Sequence, residues 1–201
     1  METDMRTGNT KERIIEAALE LFSVKGYAGT SMDEIAQAVG IKAPSIYDHY
    51  KSKEAILQKI SDIADTEYDR GMEFGKAKTA GIHSGNELKE YALHSIRYTM
   101  NNDMVVKIRR LLSIEQFRDP FFSERATSHQ ITSIQTVYTE IFDRMMSDGL
   151  MIKGNPEIFA LEFIAPVTLM LQLCDRQPER KEEAMKIIED HIDVFIERYL
   201  N

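Results

Sequence analysis

A chain of 201 residues is long enough for one small and one larger domain, each able to bury a core. Its single cysteine, Cys174, excludes a disulfide framework within one chain, and a net charge of −8 argues at first against a nucleic-acid partner. The charge is uneven, because seven Lys and Arg between Thr10 and Lys59 are matched by seven Asp and Glu, so the acidic excess lies mostly beyond this segment.

Met1 to Asn9 is polar and carries acidic residues, so no signal peptide is expected there. Asn9 and Glu12 form a helix start, Ile14, Ala18, Leu21 and Phe22 share one helical stripe, and Gly26 is a stop. Ser31 and Glu34 have the spacing of a capping box, in which hydroxyl and carboxylate reciprocally satisfy free backbone N–H groups, so a second helix should begin at Met32. Met32, Ile35, Ala36 and Val39 are its apolar face, and Gly40 tolerates the positive φ that ends it. A third helix is predicted from about Pro44 to His49, since proline loses nothing in a first helical turn.

That third helix is short, and only Ile46 and Tyr50 point plausibly inward. Lys42, Ala43, Ser45, Tyr47, Asp48 and His49 are left with no core to enter. Such a face suits a DNA major groove, where Ala touches a thymine methyl and Ser, Lys or His reaches base edges or phosphates; a solvated helix end is the alternative. Ser52 caps a fourth, longer helix whose first turn carries Lys53 next to free N–H groups, a natural phosphate clamp.

At these residues the chain closely resembles the TetR family of bacterial transcriptional repressors. The resemblance runs through Gly26-Tyr27, Thr30-Ser31, Ile35-Ala36, Val39-Gly40-Ile41, Ser45-Ile46-Tyr47, His49-Tyr50 and Lys51-Ser52-Lys53-Glu54, in order and without gaps. It implies an all-α protein. A helix-turn-helix DNA-binding domain would occupy residues 1–53, with the connecting helix starting at 52, and a helical effector-binding and dimerisation domain would occupy 54–201. It also implies a cytoplasmic homodimer that acts as a ligand-responsive repressor on a palindromic double-stranded operator, with no enzymatic activity, no cofactor and no metal. Carried over by position, Thr30, Ser31, Tyr47 and Lys53 fall at phosphate contacts or beside them, and Lys42, Ala43, Pro44, Ser45 and His49 at groove-facing positions. Asp48 departs from that pattern, because a carboxylate repels phosphate unless it accepts from a cytosine amine or points away.

Farther along, the fourth helix is expected to end near Phe74, with the glycine-containing stretch 75–86 a loop. Two amphipathic helices then meet around Asn101 to Asp103, and Asp119-Pro120 breaks the second. A long helix from about Ala126 to Ser147 follows, and another opens at Asn155-Pro156 and is apolar on nearly every side from Ile158 to Cys174, with a kink expected near Glu162 from Pro166. Its longest apolar run, Phe163 to Leu171, is shorter than a membrane span of about 20 residues, so no membrane partner is expected. The natural seam of a dimer lies on these two helices, with Ile131, Ile134, Tyr138, Ile158, Leu161 and Leu169 as interface candidates; an entirely internal core is the alternative. A last helix is expected from about Pro178 to Leu200.

Met and aromatic side chains on the middle helices suit a small, partly apolar effector, with His94, Tyr98, Arg109, Gln116, Phe117, Phe142 and Met170 as candidates. Asp62, Asp65, Asp69 and Glu73 align on the fourth helix and read as a solvated face rather than a cation site. There is no H-E-x-x-H, C-x-x-C, Walker or nucleophile-elbow motif. Two other functions fit the pattern: a dimeric DNA-binding adaptor without an effector, and a helical lipid-binding or enzymatic domain carrying an incidental helix-turn-helix.

Overall fold

The computed structural model describes the backbone of residues 9–79 and 81–201, and the side chains of these residues outside 68–79. The polar N-terminal residues before Asn9 therefore lie outside the described residues, as do the side chains of Asp69 and Glu73.

Among the described residues the regular structure is helical, joined by short turns. In order come α1 (Thr10–Lys25), α2 (Met32–Val39), α3 (Ala43–His49), α4 (Lys53–Thr79), α5 (Gly85–Asn101) and α6 (Asp103–Glu115). These are followed by α7 (Pro120–Thr127), a π-helical turn (Ser128–Thr132), α8 (Ser133–Ser147), α9 (Pro156–Arg176), a short 3-10 turn (Pro178–Arg180) and α10 (Lys181–Tyr199). The starts follow from local hydrogen bonding. Asn9 and Ser31 each head a complete capping box, with Glu12 and Glu34 closing them, and Asn155 accepts from the N–H groups of Glu157 and Ile158. Pro120 and Pro156 occupy first-turn positions, where no N–H is required.

Two expectations are corrected. Residues 75–79, expected to open a loop, continue α4 to Thr79. The long helix placed from Ala126 starts at Pro120 instead and contains a π turn, where the Ser133 N–H donates to the Ser128 carbonyl five residues back.

Packing divides the chain into two units, neither of them contiguous in sequence. The first combines the described part of Met1–Glu67 with Asp103–Ser123, and the second combines Tyr68–Asn102 with Glu124–Asn201. The expected head ended at residue 53; packing also joins to it α4 as far as Glu67, and all of α6.

In the first unit α1 packs against both α2 and α6, and α2 packs against α3. Ile14, Phe22, Ile35, Ile46 and Ile56 are completely buried there. Arg13 ties α1 to the end of α2 by donating to the Val39 carbonyl at 2.5 Å. Lys107 of α6 reaches Glu20 of α1 at 2.7 Å.

The second unit is built on an aromatic cluster. Tyr138 lies 4.7 Å from Phe163, Phe163 lies 4.8 Å from Phe195, and Phe195 stacks on Phe142 at 5.3 Å between ring centroids. Around it α8 and α10 pack on α9, and Lys89–Asp193 and Arg97–Glu189 pairs link α5 to α10. Pro166 removes a backbone N–H inside α9, and the neighbouring Phe163 carbonyl is met by His191 Nε2 of α10 at 2.9 Å.

Ile46 is the only buried residue of α3. Replacing it by alanine leaves a cavity exactly where α3 is anchored, so Ile46→Ala is expected to lower the stability of the first unit by about 2–5 kcal/mol, measured by urea unfolding.

Candidate nucleic-acid interface

The short third helix is held by its two ends and one side chain. Gly40 adopts the left-handed conformation (φ +77°), which leaves the Ile41 N–H free to close onto the Ala36 carbonyl at 3.0 Å and turns the chain sharply into α3. With only Ile46 in the core, α3 exposes Lys42, Pro44, Tyr47 and Asp48, and half-buries Ala43, Ser45 and His49. Tyr47, a large ring on a seven-residue helix, is 43% exposed. Lys51 follows the helix and donates to the Tyr47 carbonyl at 2.9 Å, keeping an exposed cation beside the helix end.

Ser31 is exposed at the start of α2, where its hydroxyl accepts from the Glu34 N–H and Glu34 pairs with Lys25 at 2.8 Å. The Lys25 ammonium first, and the Ser31 backbone N–H and hydroxyl after it, pull the Glu34 carboxyl down to about 2. Thr30 is different. It is 2% exposed and its hydroxyl donates inward to the Gly26 carbonyl at 2.9 Å, so its side chain is committed to the turn and not to a phosphate.

Lys53 is equally committed. Its ammonium donates to the carbonyls of Tyr27 and Thr30, both at 2.7 Å, and lies 4.3 Å from the centre of the Tyr27 ring. An ammonium has three N–H groups, so one remains for an anion. Ser52 accepts from the Ala55 N–H at 3.2 Å and so caps the first turn of α4.

Tyr27 was legible in the sequence only as part of a turn, yet four elements meet on it. Its hydroxyl donates to Glu54 at 2.9 Å, its ring meets Phe22 edge-on at 5.3 Å and Phe122 at 6.0 Å, and its N–H donates to Glu115 of α6 at 2.9 Å. Burial, the bond to Glu54 and the negative charges of Glu54 and Asp119 push the Tyr27 hydroxyl well above the ordinary range, so it stays protonated and donates. Glu115 is 2% exposed. It stands on the buried stripe of α6 after Ile108, Leu111 and Leu112, and an acid in line with apolar residues was the available signal.

The seven effector candidates fall in both units. Arg109, which is buried, Gln116 and Phe117 belong to the first, where Phe117 is 91% exposed. His94, Tyr98, Phe142 and Met170 belong to the second, where His94 is exposed, Tyr98 and Met170 are half-buried, and Phe142 is sealed in the aromatic cluster. Of the interface candidates, Ile131, Ile158, Leu161 and Leu169 are 46%, 57%, 45% and 59% exposed, and Ile134 is half-buried. Tyr138 is corrected: at 3% exposure, against Phe142 and Phe163, it belongs to the core and is absent from that free face. By length and composition α9 as a whole is apolar enough to cross a membrane, unlike its longest uninterrupted apolar run. Among the described residues no group of three or more His, Cys, Asp or Glu could hold a metal ion, and Asp62 accepts from Gln58 at 2.9 Å.

Residues 14–60 match the family described as bacterial regulatory proteins, tetR family. Over 49 residues the chain is 51% identical to IcaR of Staphylococcus epidermidis, the negative transcriptional regulator of the biofilm operon icaADBC; the match covers 24% of this chain and 26% of that protein. Along nearly its whole length, the fold is similar to that of a TetR-family transcriptional regulator from Mesorhizobium loti. The TM-score there is 0.72 at 21% identity, covering 98% of this chain and 100% of the other. The fold is also similar to that of AibR in complex with isovaleryl coenzyme A and operator DNA, with a TM-score of 0.59 at 22% identity over 82% of this chain and 86% of the other.

Because the Glu34 carboxyl is held low, the stability it contributes is present above the ordinary carboxylate range and is lost as pH falls from about 4.5 towards about 2. A carboxyl-carbon NMR titration should give Glu34 a midpoint near 2, and Lys25→Ala should move it upward.

Proposed function

We propose that this chain, whose residues 14–60 match the TetR family of bacterial regulatory proteins, is a homodimeric repressor that binds a palindromic operator and releases it on binding a small effector. The observation that carries the reading is the outward face of α3, which has one buried anchor and a surface of small, hydrogen-bonding and aromatic side chains. In this reading Lys42, Ala43, Pro44, Ser45 and His49 line the major groove. Tyr47, Lys53 and the Ser31 end of α2 meet the phosphates, and Thr30 contributes its backbone position.

From Thr10 to Lys59 the head is electrically neutral, so a single head binds only moderately and with strong salt dependence. Two linked heads raise the affinity by making the second contact intramolecular. For both reading helices to enter one face of B-DNA they must stand about 34–36 Å apart, or a multiple of that. The exposed apolar residues Ile131, Ile158, Leu161 and Leu169 support α9, with α8 and the π turn that leads into it, as the seam between protomers, where a second copy removes them from water. That a protein of similar fold takes both isovaleryl coenzyme A and operator DNA supports an effector for this chain too. An effector that altered the spacing of the heads would weaken binding without touching a base contact, by a coupling of about 1–3 kcal/mol.

Sequencing the genomic DNA that the purified protein retains should return an inverted repeat; no enrichment over random fragments would refute the reading. On that duplex Tyr47→Ala should lower affinity at least tenfold, measured by fluorescence anisotropy, while light scattering still reports a dimer. Leu161→Glu combined with Leu169→Glu should give a monomer that binds the same duplex weakly and retains its helical circular dichroism.

A further inference from the structure

We infer that Glu115 is a positioning residue for operator binding, acting through the turn between α1 and α2 on the ammonium of Lys53. This rests on the reading of the head as a DNA-binding domain.

Glu115 is a carboxylate at 2% exposure that accepts from the Tyr27 N–H at 2.9 Å and meets the more exposed Arg118 guanidinium at 3.4 Å. Burying a carboxylate is costly unless its charge is met, and beside the longer contact to Arg118 the closest donor is a backbone N–H 88 positions away in sequence. The turn is shaped to receive it. Gly26 has φ +78°, and a Cβ on it would collide with Glu115 Oε1, so at this position both the backbone angle and the approach of the carboxylate require glycine.

The consequence passes along one residue. The peptide after Tyr27 and that after Thr30 present the two carbonyls that hold Lys53, and Tyr27 also supplies the ring beneath the ammonium and the hydroxyl that binds Glu54. A lysine is otherwise a flexible stem with a mobile charge, and its value to a phosphate contact depends on where that charge is held. Glu115 holds the Tyr27 N–H on one side of a residue whose ring and carbonyl meet Lys53 on the other, and the third N–H of Lys53 is aimed from that anchored turn.

The test is a double-mutant cycle on the full-length protein, using the duplex recovered from genomic DNA. Glu115→Ala and Lys53→Met should each weaken binding about five- to tenfold, and the double variant should be no more than twofold weaker than Lys53→Met alone. The slope of log affinity against log salt should fall by roughly one in Glu115→Ala, as it does in Lys53→Met, because one phosphate contact is lost. Glu115→Gln, which keeps an acceptor for the Tyr27 N–H, should recover most of the affinity.

A purely structural role for Glu115 predicts instead losses that multiply and an unchanged salt slope; either result overturns the inference, as does wild-type affinity in Glu115→Ala. Should circular dichroism show Glu115→Ala unfolded, the cycle is run with Glu115→Gln, where a loss that multiplies with that of Lys53→Met overturns it. A further check uses the unmodified protein: exchange of the Tyr27 amide should slow when duplex is added, and unchanged exchange counts against the inference. If the wild-type protein prefers no duplex at all, the DNA-binding reading fails first; if it binds and Glu115→Ala binds equally, the positioning role alone fails.

Discussion

The ammonium of Lys53, bound to the carbonyls of Tyr27 and Thr30 and seated over the Tyr27 ring, ties the start of α4 to the turn between α1 and α2. Two carbonyls at a tight turn would otherwise need water, and a lysine at a helix start would otherwise repel the positive end of the helix dipole. Together they satisfy each other, and the start of α4 is fastened to the turn that precedes α2. Thr30 completes the arrangement from inside by closing onto the Gly26 carbonyl. With α1, α2 and α4 fixed in this way, α3 needs only Ile46 to anchor it, which leaves the rest of its surface available for another molecule.

The second unit uses a different balance. Its core is sealed by aromatic rings, and the Phe142 ring, fully enclosed by Tyr138, Phe163 and Phe195, leaves little there for exposed apolar surface to add. Yet α9 still presents Ile158, Leu161 and Leu169 outward. The helix therefore has two apolar faces, with Ala160, Phe163, Ile164 and Val167 turned inward and Ile158, Leu161 and Leu169 turned out. An all-round apolar sequence was the sign of this, since an amphipathic helix serving a single core has no use for a second apolar face.

Much of the local architecture was legible because it depends on neighbours. The capping boxes at Asn9 and Ser31, the Gly40 turn, the proline starts and the buried stripe of α2 involve residues three to five apart, and side-chain type alone decides them. The candidate surface on α3 was legible for the same reason, as a short helix with one apolar anchor. Less was legible where a side chain has two plausible fates. Thr30 and Lys53 look like phosphate ligands by type and position, but in the fold both are engaged with the turn. Tyr138 and Ile134 stand on one amphipathic helix, yet the first is sealed in the core and the second is half-buried.

Sequence alone determined most of the helices, their capped starts, the outward face of α3 and the resemblance to TetR-family regulators, because caps, periodicity and spacing act within one or two helical turns. Only the tertiary structure decided that α6 packs with the head and that Glu115 closes on Tyr27, 88 positions away. Such pairings depend on which helix faces come together in space, and no local preference encodes that. A buried acid on an apolar stripe shows that a partner must exist, and the fold alone identifies it as the N–H of a distant turn.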